Sequence, residues 1–249
     1  MKKIIILVIL IIAAGFLLFG LGELEEPENG EVELPARSIE FLAEGEQEAQ
    51  EIRVLEEDQE EVFSLTIEDL NQWTADNWDQ FEETPQVGMR DVEPDNFGFF
   101  DRAASISPNN RKLIFSVSDY AAATTTSLPI VVDLETGEME FIKTPTRGTV
   151  EEYVWNEDSS KVAYSLGTAR AGGDYLRVDD IDQMDISFNL EGEHLLMELE
   201  SDLEANEFMP VFGQLNWVGD QLEFETEDPE SDDRLEWIID GDGENLSIR

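Results

Sequence analysis

The stretch Ser105–Val117, S-I-S-P-N-N-R-K-L-I-F-S-V, constrains the fold more than any other part of the chain. An apolar residue, Ile106, leads into Ser107, Pro108, Asn109 and Asn110, and two cations then precede the run Leu113-Ile114-Phe115. Proline presets the φ that a turn's second position needs, and asparagine tolerates the left-handed region. A short apolar run bounded by turn residues suits a strand buried on both faces. The unit therefore predicts strand, tight polar turn, strand.

The pattern returns downstream. Val154–Leu166 reads V-W-N-E-D-S-S-K-V-A-Y-S-L, Ser187–Leu199 reads S-F-N-L-E-G-E-H-L-L-M-E-L, and Asn216–Phe224 reads N-W-V-G-D-Q-L-E-F. Ile106, Trp155, Phe188 and Trp217 align before the turn, and Phe115, Tyr164, Met197 and Phe224 align after it. Recurrence over tens of residues is the signature of propellers and solenoids.

The run Ser107–Phe115 resembles the repeat signature of TolB-like β-propellers, and Asp133-Leu134-Glu135-Thr136-Gly137-Glu138 is similar to the turn later in such a blade. Trp155–Tyr164 resembles the start of a following blade, and Trp237–Leu246 its closing hairpin. The resemblance spans Ala104 to the C-terminus. It implies a mainly β fold of about four partial antiparallel β-propeller-like blades. It also implies an extracytoplasmic scaffold or binding module with no catalytic residues. No copy holds an intact S-P-D-G, and the gaps between pre-turn anchors shrink along the chain, so the later blades are expected to be truncated against the usual span of about 40–45 residues.

Met1-Lys2-Lys3 opens the chain, and Ile4–Leu21 runs without a charge. Such a run suffices for one transmembrane helix, which takes roughly 17–25 apolar residues. The lysines should stay inside and send the remainder out of the cytoplasm. Residues 1–22 are read as a signal anchor, with a cleaved signal peptide as the alternative, since Gly20-Leu21-Gly22 offers small residues to a peptidase. Residues 23–50 read as an acidic tether, with Ser38–Leu42 a short strand inside it. Residues 51–249 read as the extracytoplasmic β domain. Ile52–Leu55 and Val62–Leu65 form a hairpin around the polar run Glu56–Glu61. Ile67, Leu70, Trp73, Trp78 and Phe81 fall at helical spacing over 66–81, and Thr66 with Asp69 resembles a capping box. Trp73 and Trp78 are expected in the core rather than as ligand stackers.

Lys and Arg total 15 against 59 Asp and Glu, a formal net charge of -44. So large an excess excludes nucleic-acid binding through a basic face. Its even spread points to a halophilic surface more than to a cation-binding one. With Cys at 0, there is no disulfide framework, thiolate nucleophile or cysteine metal site.

The remaining motifs carry little chemistry. Asp240-Gly241-Asp242-Gly243-Glu244 alternates carboxylates as a Ca²⁺ loop does, yet its glycine is misplaced and a hairpin turn is expected. Asp179, Asp180, Asp182 and Asp185 are equally weak metal candidates. His194, the one histidine, is expected on an exposed strand. Asn245-Leu246-Ser247 fits a glycosylation sequon. No catalytic, cofactor-binding or metal-ligating residue is assigned and no cofactor is expected. The expected function is a membrane-tethered binding or scaffold module for a protein partner in the cell envelope, and not an enzyme. The alternative is an extracytoplasmic glycoside hydrolase using two carboxylates. Contact is expected through the loops Gly167–Asp174 and Ser201–Phe208. Carboxylate repulsion is screened as the Debye length falls from about 10 Å at 0.1 M salt to about 3 Å at 1 M. The thermal midpoint should therefore climb over that range in calorimetry.

Overall fold

The turn that organises the sequence is built twice from the same bonds. In the computed structural model, Ser107 N–H donates to the Lys112 carbonyl at 2.9 Å, and Asn156 N–H to that of Lys161 at 3.0 Å. The Ser107 hydroxyl accepts from Lys112 N–H at 2.9 Å, and the Asn156 side-chain oxygen from Lys161 N–H at 2.8 Å. Asn110 and Ser159 occupy the left-handed position, with φ of 56° and 66°. Ser107-Pro-Asn-Asn and Asn156-Glu-Asp-Ser are thus two spellings of one turn, each led by a side chain that caps its own loop.

The structure describes residues 35–43, 48–80, 86–87, 90–91, 97–119, 126–142, 146–147, 149–167, 175–199, 210–227, 231 and 233–249. All belong to one unit, Pro35–Arg249. The expected signal anchor, 1–22, lies outside them. Among the described residues no helix is long and apolar enough to cross a membrane.

Four antiparallel sheets follow one another along the chain. Sheet I holds β1 (Arg37–Leu42), β2 (Glu51–Glu56) and β3 (Glu61–Thr66). The single strand expected at 38–42 is therefore paired, with β2, and the stretch assigned as tether overlaps the folded sheet. Helix α1 (Ile67–Asn77) follows, and Thr66 Oγ1 caps it by accepting from Asp69 N–H at 3.2 Å. A small ribbon, β4 (Gln86–Val87) with β5 (Arg90–Asp91), leads to sheet II. That sheet contains β6 (Phe97–Ile106), β7 (Lys112–Asp119) and β8 (Thr126–Asp133), with β9 (Met139–Phe141) and β10 (Thr146–Arg147) both on the far edge of β8. Sheet III holds β11 (Thr149–Trp155), β12 (Lys161–Gly167), β13 (Tyr175–Asp180) and β14 (Asp185–Leu190). After helix α2 (Gly192–Glu198), sheet IV holds β15 (Gly213–Val218), β16 (Gln221–Glu227), β17 (Arg234–Asp240) and β18 (Ser247–Ile248). The fold is mainly β, four propeller-like sheets with few helices.

Strand phase explains how the sheets stack. Successive side chains point to opposite faces. On β7, Leu113, Phe115 and Val117 join a core with sheet I, while Ile114 joins a core with sheet III. On β12, Val162, Tyr164 and Leu166 face back to sheet II, and Ala163 faces on to sheet IV. On β16, Leu222 and Phe224 face back to sheet III. The opposite phase of β16 carries Gln221, Glu223 and Glu225, all open to solvent to some degree. Sheet I mirrors this: Ile52 and Val54 face sheet II, while Glu51 and Arg53 take the outer phase. Three apolar cores therefore join I to II, II to III and III to IV. Among the described residues none joins IV to I, and the two outermost faces are polar.

Cross-strand register identifies equivalent strands. The cation or amide opening one strand faces the acid closing the next at Arg37↔Glu56, Lys112↔Asp133, Lys161↔Asp180 and Gln221↔Asp240. By this register β1 corresponds to β7, β12 and β16, the second strands. Sheet I shows no counterpart of β6, β11 or β15 among the described residues. Each cation also reaches into the following sheet: Arg37 Nη1 to the Asn110 carbonyl at 2.6 Å, Lys112 Nζ to Asp182 at 3.1 Å, and Lys161 Nζ to the Gly241 carbonyl at 2.6 Å. Sheet IV has Gln221 there instead, and it bonds within its own sheet to Asp240 at 2.8 Å.

The structure corrects one repeat. Phe188 lies on β14, the fourth strand of sheet III, and Glu191–Leu199 is not a second strand but helix α2 with its caps. Leu195 and Leu196 are buried, whereas Met197, read as a core anchor, is 76% exposed. Leu, Met and Glu are strong helix formers, and the run buries two adjacent residues, which a strand with one solvent face does not do. With that copy removed, the true first-strand anchors are Ile106, Trp155 and Trp217. The later sheets are full four-stranded units, not the truncated blades expected from shrinking gaps.

The two tryptophans play one role. Trp155 Nε1 donates to the Ser105 carbonyl at 3.3 Å and Trp217 Nε1 to the Val154 carbonyl at 3.0 Å, each reaching the residue before the preceding sheet's anchor. Trp155 is buried, and Trp217 is half-buried. Trp155→Phe and Trp217→Phe should each cost about 1 kcal/mol for the lost bond. Trp155→Ala should cost about 3–5 kcal/mol for lost packing. Urea midpoints on the three variants check this ranking.

Candidate functional site

The most polar part of the interior lies between sheets II and III. Arg177 and Asp179 sit at alternate positions of β13, so both point back toward sheet II. Arg177 Nε meets Asp179 Oδ1 at 2.6 Å, with both side chains at most 3% exposed. Tyr164 OH donates to Asp179 Oδ2 at 2.5 Å, and its ring lies 5.7 Å beneath the Arg177 guanidinium. Tyr153 packs edge-on to Tyr164 with centroids 5.0 Å apart, and its hydroxyl donates to Ser116 Oγ at 2.9 Å. Burial pushes both tyrosine hydroxyls well above their ordinary value. Burial likewise raises the Asp179 carboxyl, opposed by the adjacent Arg177 and Tyr164. Arg177, Asp179 and Tyr164 are paired with one another within sheet III, and Tyr153 ties the cluster to sheet II through Ser116, which is the arrangement of a structural lock.

Of the residues singled out from sequence, Asp179 joins this cluster and the others fall elsewhere. Asp240–Glu244 forms the expected hairpin turn: Gly243 N–H donates to the Asp240 carbonyl at 2.8 Å, and Gly243 has φ of 87°. Asp240 accepts from Asn245 Nδ2 at 2.6 Å and from Gln221 Nε2, and these bonds hold its carboxyl below the usual range. Asn245, the sequon residue, is thus tied into this turn. Asp180 closes the matching turn of sheet III, accepting from Asp182 and Gln183 N–H at 3.0 Å each. Asp179 is buried and Asp180 binds its own turn, so the four aspartates of 179–185 do not converge. Among the described residues no three Asp, Glu or His stand close enough to hold a metal ion.

His194 is exposed, but on α2 rather than on a strand. Its Nδ1 accepts from Glu191 N–H at 3.1 Å, completing a capping box. Trp73 packs on Phe141 at 4.5 Å between centroids and Trp78 at 6.3 Å; expected in the core, both are half-buried and packed against the core between sheets I and II. The loops proposed for contact, 167–174 and 201–208, lie outside the described residues except for Gly167.

Among the described residues the surface also carries concavities and four exposed large apolar side chains, Met197, Val211, Val218 and Ile248. A hollow of about 430 Å³ lies over the outer phase of sheet IV, lined by Asn216, Glu223, Glu225, Glu236 and Arg249 among others. Glu225 faces Glu236 directly across β16 and β17. Arg234 pairs with Glu225, and Arg249 with Glu223. A cleft of about 260 Å³ opens between sheets II and III, with Val131, Ile181 and Met184 below Lys112, Asp133, Glu138 and Asp182. Met197, 76% exposed, and Val211, 54% exposed, bracket the long connection from sheet III to sheet IV. The interior lock was missed in the sequence, where Asp179 reads as a weak metal candidate; the signal that could have found it is Arg177-Val178-Asp179, two charges within an apolar strand. The hollow has no such signal, because its glutamates are ordinary members of a very acidic sequence.

Comparison with known proteins gives no family. No protein-family profile matches the chain, and no curated protein matches it in sequence. In structure it is similar to a prolyl endopeptidase, with a TM-score of 0.43 and 11% identity over 85% of this chain and 29% of that one. It is similar to oligogalacturonate lyase from Vibrio parahaemolyticus at a TM-score of 0.39 and 15% identity, covering 78% of this chain and 44% of the other. The β-propeller domain of the Trilobed protease from Pyrococcus furiosus gives 0.34 and 13%, over 80% and 61%. The chain thus spans less than two thirds of each of these proteins.

The lock has a direct test. Removing one member of a buried ion pair costs about 3–5 kcal/mol, while replacing both by apolar groups is often neutral. Arg177→Met should therefore destabilise strongly, and Arg177→Met with Asp179→Leu should recover much of the loss in a denaturation cycle.

Proposed function

We propose that the chain is a membrane-tethered, extracytoplasmic propeller-like module, of TolB-like kind, that binds a protein or another envelope component and catalyses no reaction. The tether rests on Lys2-Lys3 and the uncharged run Ile4–Leu21. The TolB-like reading rests on the Ser107–Phe115 and Asp133–Glu138 motifs. The binding reading is carried by one observation above all: two large apolar side chains, Met197 and Val211, stand exposed at either end of the connection that contains 201–208. Exposed apolar area is what a protein interface uses, and a rigid β scaffold is what presents it. The buried ionisable groups of the lock are committed to each other and leave no nucleophile or acid aimed at solvent. The carboxylates of the sheet IV hollow, where a glycosidase pair would be sought, stand beside Arg234 and Arg249.

In-cell cross-linking of the tagged full chain tests this. The wild type should capture a defined envelope protein. Met197→Glu with Val211→Glu should lose that product while keeping the wild-type thermal midpoint. Unchanged capture by the double variant would contradict the assignment of the surface. Turnover of a glycan by the purified chain would contradict the non-enzymatic reading.

A further inference from the structure

The II–III interface holds a second carboxylate with no cation paired to it among the described residues. Asp101, on β6, is 5% exposed. Ser118 Oγ donates to its Oδ1 at 2.6 Å and Ser127 Oγ to its Oδ2 at 2.7 Å, and the two serine oxygens are 3.2 Å apart. Ser116, two residues before Ser118 on β7, receives the Tyr153 hydroxyl from sheet III. Among the described residues, the charged and titratable groups facing this cluster are few. Glu48, ahead of β2, has the same sign, Tyr153 comes from β11, and beyond Tyr153 lie Arg177 and Asp179 of β13, already joined to each other.

We propose that Asp101 and the serines around it form a proton-binding switch on the face that sheet II turns to sheet III, tight when the carboxyl is protonated and loosened when it ionises. The chemistry follows from what surrounds the carboxyl. Its donors are hydroxyls, which are rotors with both a proton and lone pairs. When Asp101 is ionised, Ser118 and Ser127 each aim a hydrogen at one oxygen. When it takes up a proton, that O–H donates to one serine oxygen, and this serine turns its own hydrogen to the other serine. Proton uptake thus needs no heavy-atom movement: both serine–carboxyl bonds survive it, and it adds a Ser118–Ser127 bond that the ionised form, with both hydroxyl hydrogens aimed at the carboxylate, cannot make. The ionised form also places a negative charge in the interior with no cation paired to it among the described residues, which burial penalises.

Burial accordingly raises the Asp101 carboxyl above its ordinary value. The sign is fixed by that direction. Asp101 contributes its full stability below the unfolded-chain value of about 3.9 and loses it as the pH climbs through the higher folded value. This opposes Asp133 and Asp158, whose carboxyls are held low, the first by the Thr136 backbone N–H and the second by Ser160.

Asp101→Asn is the test, because the amide donates to one serine and accepts from the other as the protonated acid does. Thermal midpoints of the full chain are followed from acid to alkaline pH in about 1 M salt, where surface repulsion is screened. The variant should match the wild type at acid pH and exceed it increasingly as the pH rises. Parallel curves, or an equal loss at every pH, would overturn the proposal. A second measurement does not depend on the variant folding. The ¹³C carboxyl resonance of Asp101 in the wild type should titrate above the ordinary aspartate range, and titration within or below that range would overturn the proposal equally.

Discussion

Everything described above depends on how one sheet is fastened to the next. Each junction has an apolar core, but apolar packing is non-directional and does not fix register between sheets. Directional bonds do that. The indole N–H groups of Trp155 and Trp217 reach back to backbone carbonyls of the preceding first strand. Arg37, Lys112 and Lys161 reach forward into the next sheet. Within sheets II, III and IV, the later turn bonds back to the earlier one, through Leu134 N–H to Arg111, Ile181 N–H to Ser160 and Gly241 N–H to Asp220. Bonds repeated at matching positions make the sheets equivalent units, although their sequences have drifted far apart.

This fastening matters more here than in a protein of ordinary charge. The chain has few cations, and several of them stand at sheet junctions rather than spread over the acidic surface. A charge of this size repels itself everywhere, and its screening depends on salt. Partly buried bonds to backbone carbonyls depend on salt far less. The same economy appears at the outer faces. Where the phase of β16 and β17 would face a further sheet, it carries Glu223, Glu225 and Glu236. Where β2 would face a preceding one, it carries Glu51 and Arg53. The series of sheets thus has solvated ends, as the terminal units of repeat proteins do.

The parts of this that were legible in the sequence are those in which local chemistry decides. The Ser107–Lys112 turn, the Asp133–Glu138 turn, the hairpin of β2 and β3 and the Thr66 cap of α1 all carry their bonding partners within a few residues. The copy at Ser187–Leu199 failed because a bulky residue, polar residues and an apolar run describe a hairpin and a capped helix equally well, and only burial of Leu195 and Leu196 with exposure of Met197 separates them. The Asp101 cluster was invisible because its members come from β6, β7, β8 and β11 and meet only when the sheets stack. The acidic hollow of sheet IV was hidden by composition. Its glutamates differ from the rest only in where the strands put them.

The central claim is that sheets II, III and IV are held in register by tryptophan side chains bonded across their two junctions. Hydrogen exchange of the indole N–H groups in ¹⁵N-tryptophan-labelled protein tests it most directly. Trp155 and Trp217 should both exchange slowly, with protection that vanishes only on unfolding. Exchange of either indole at the rate of free tryptophan in the folded protein would contradict the account.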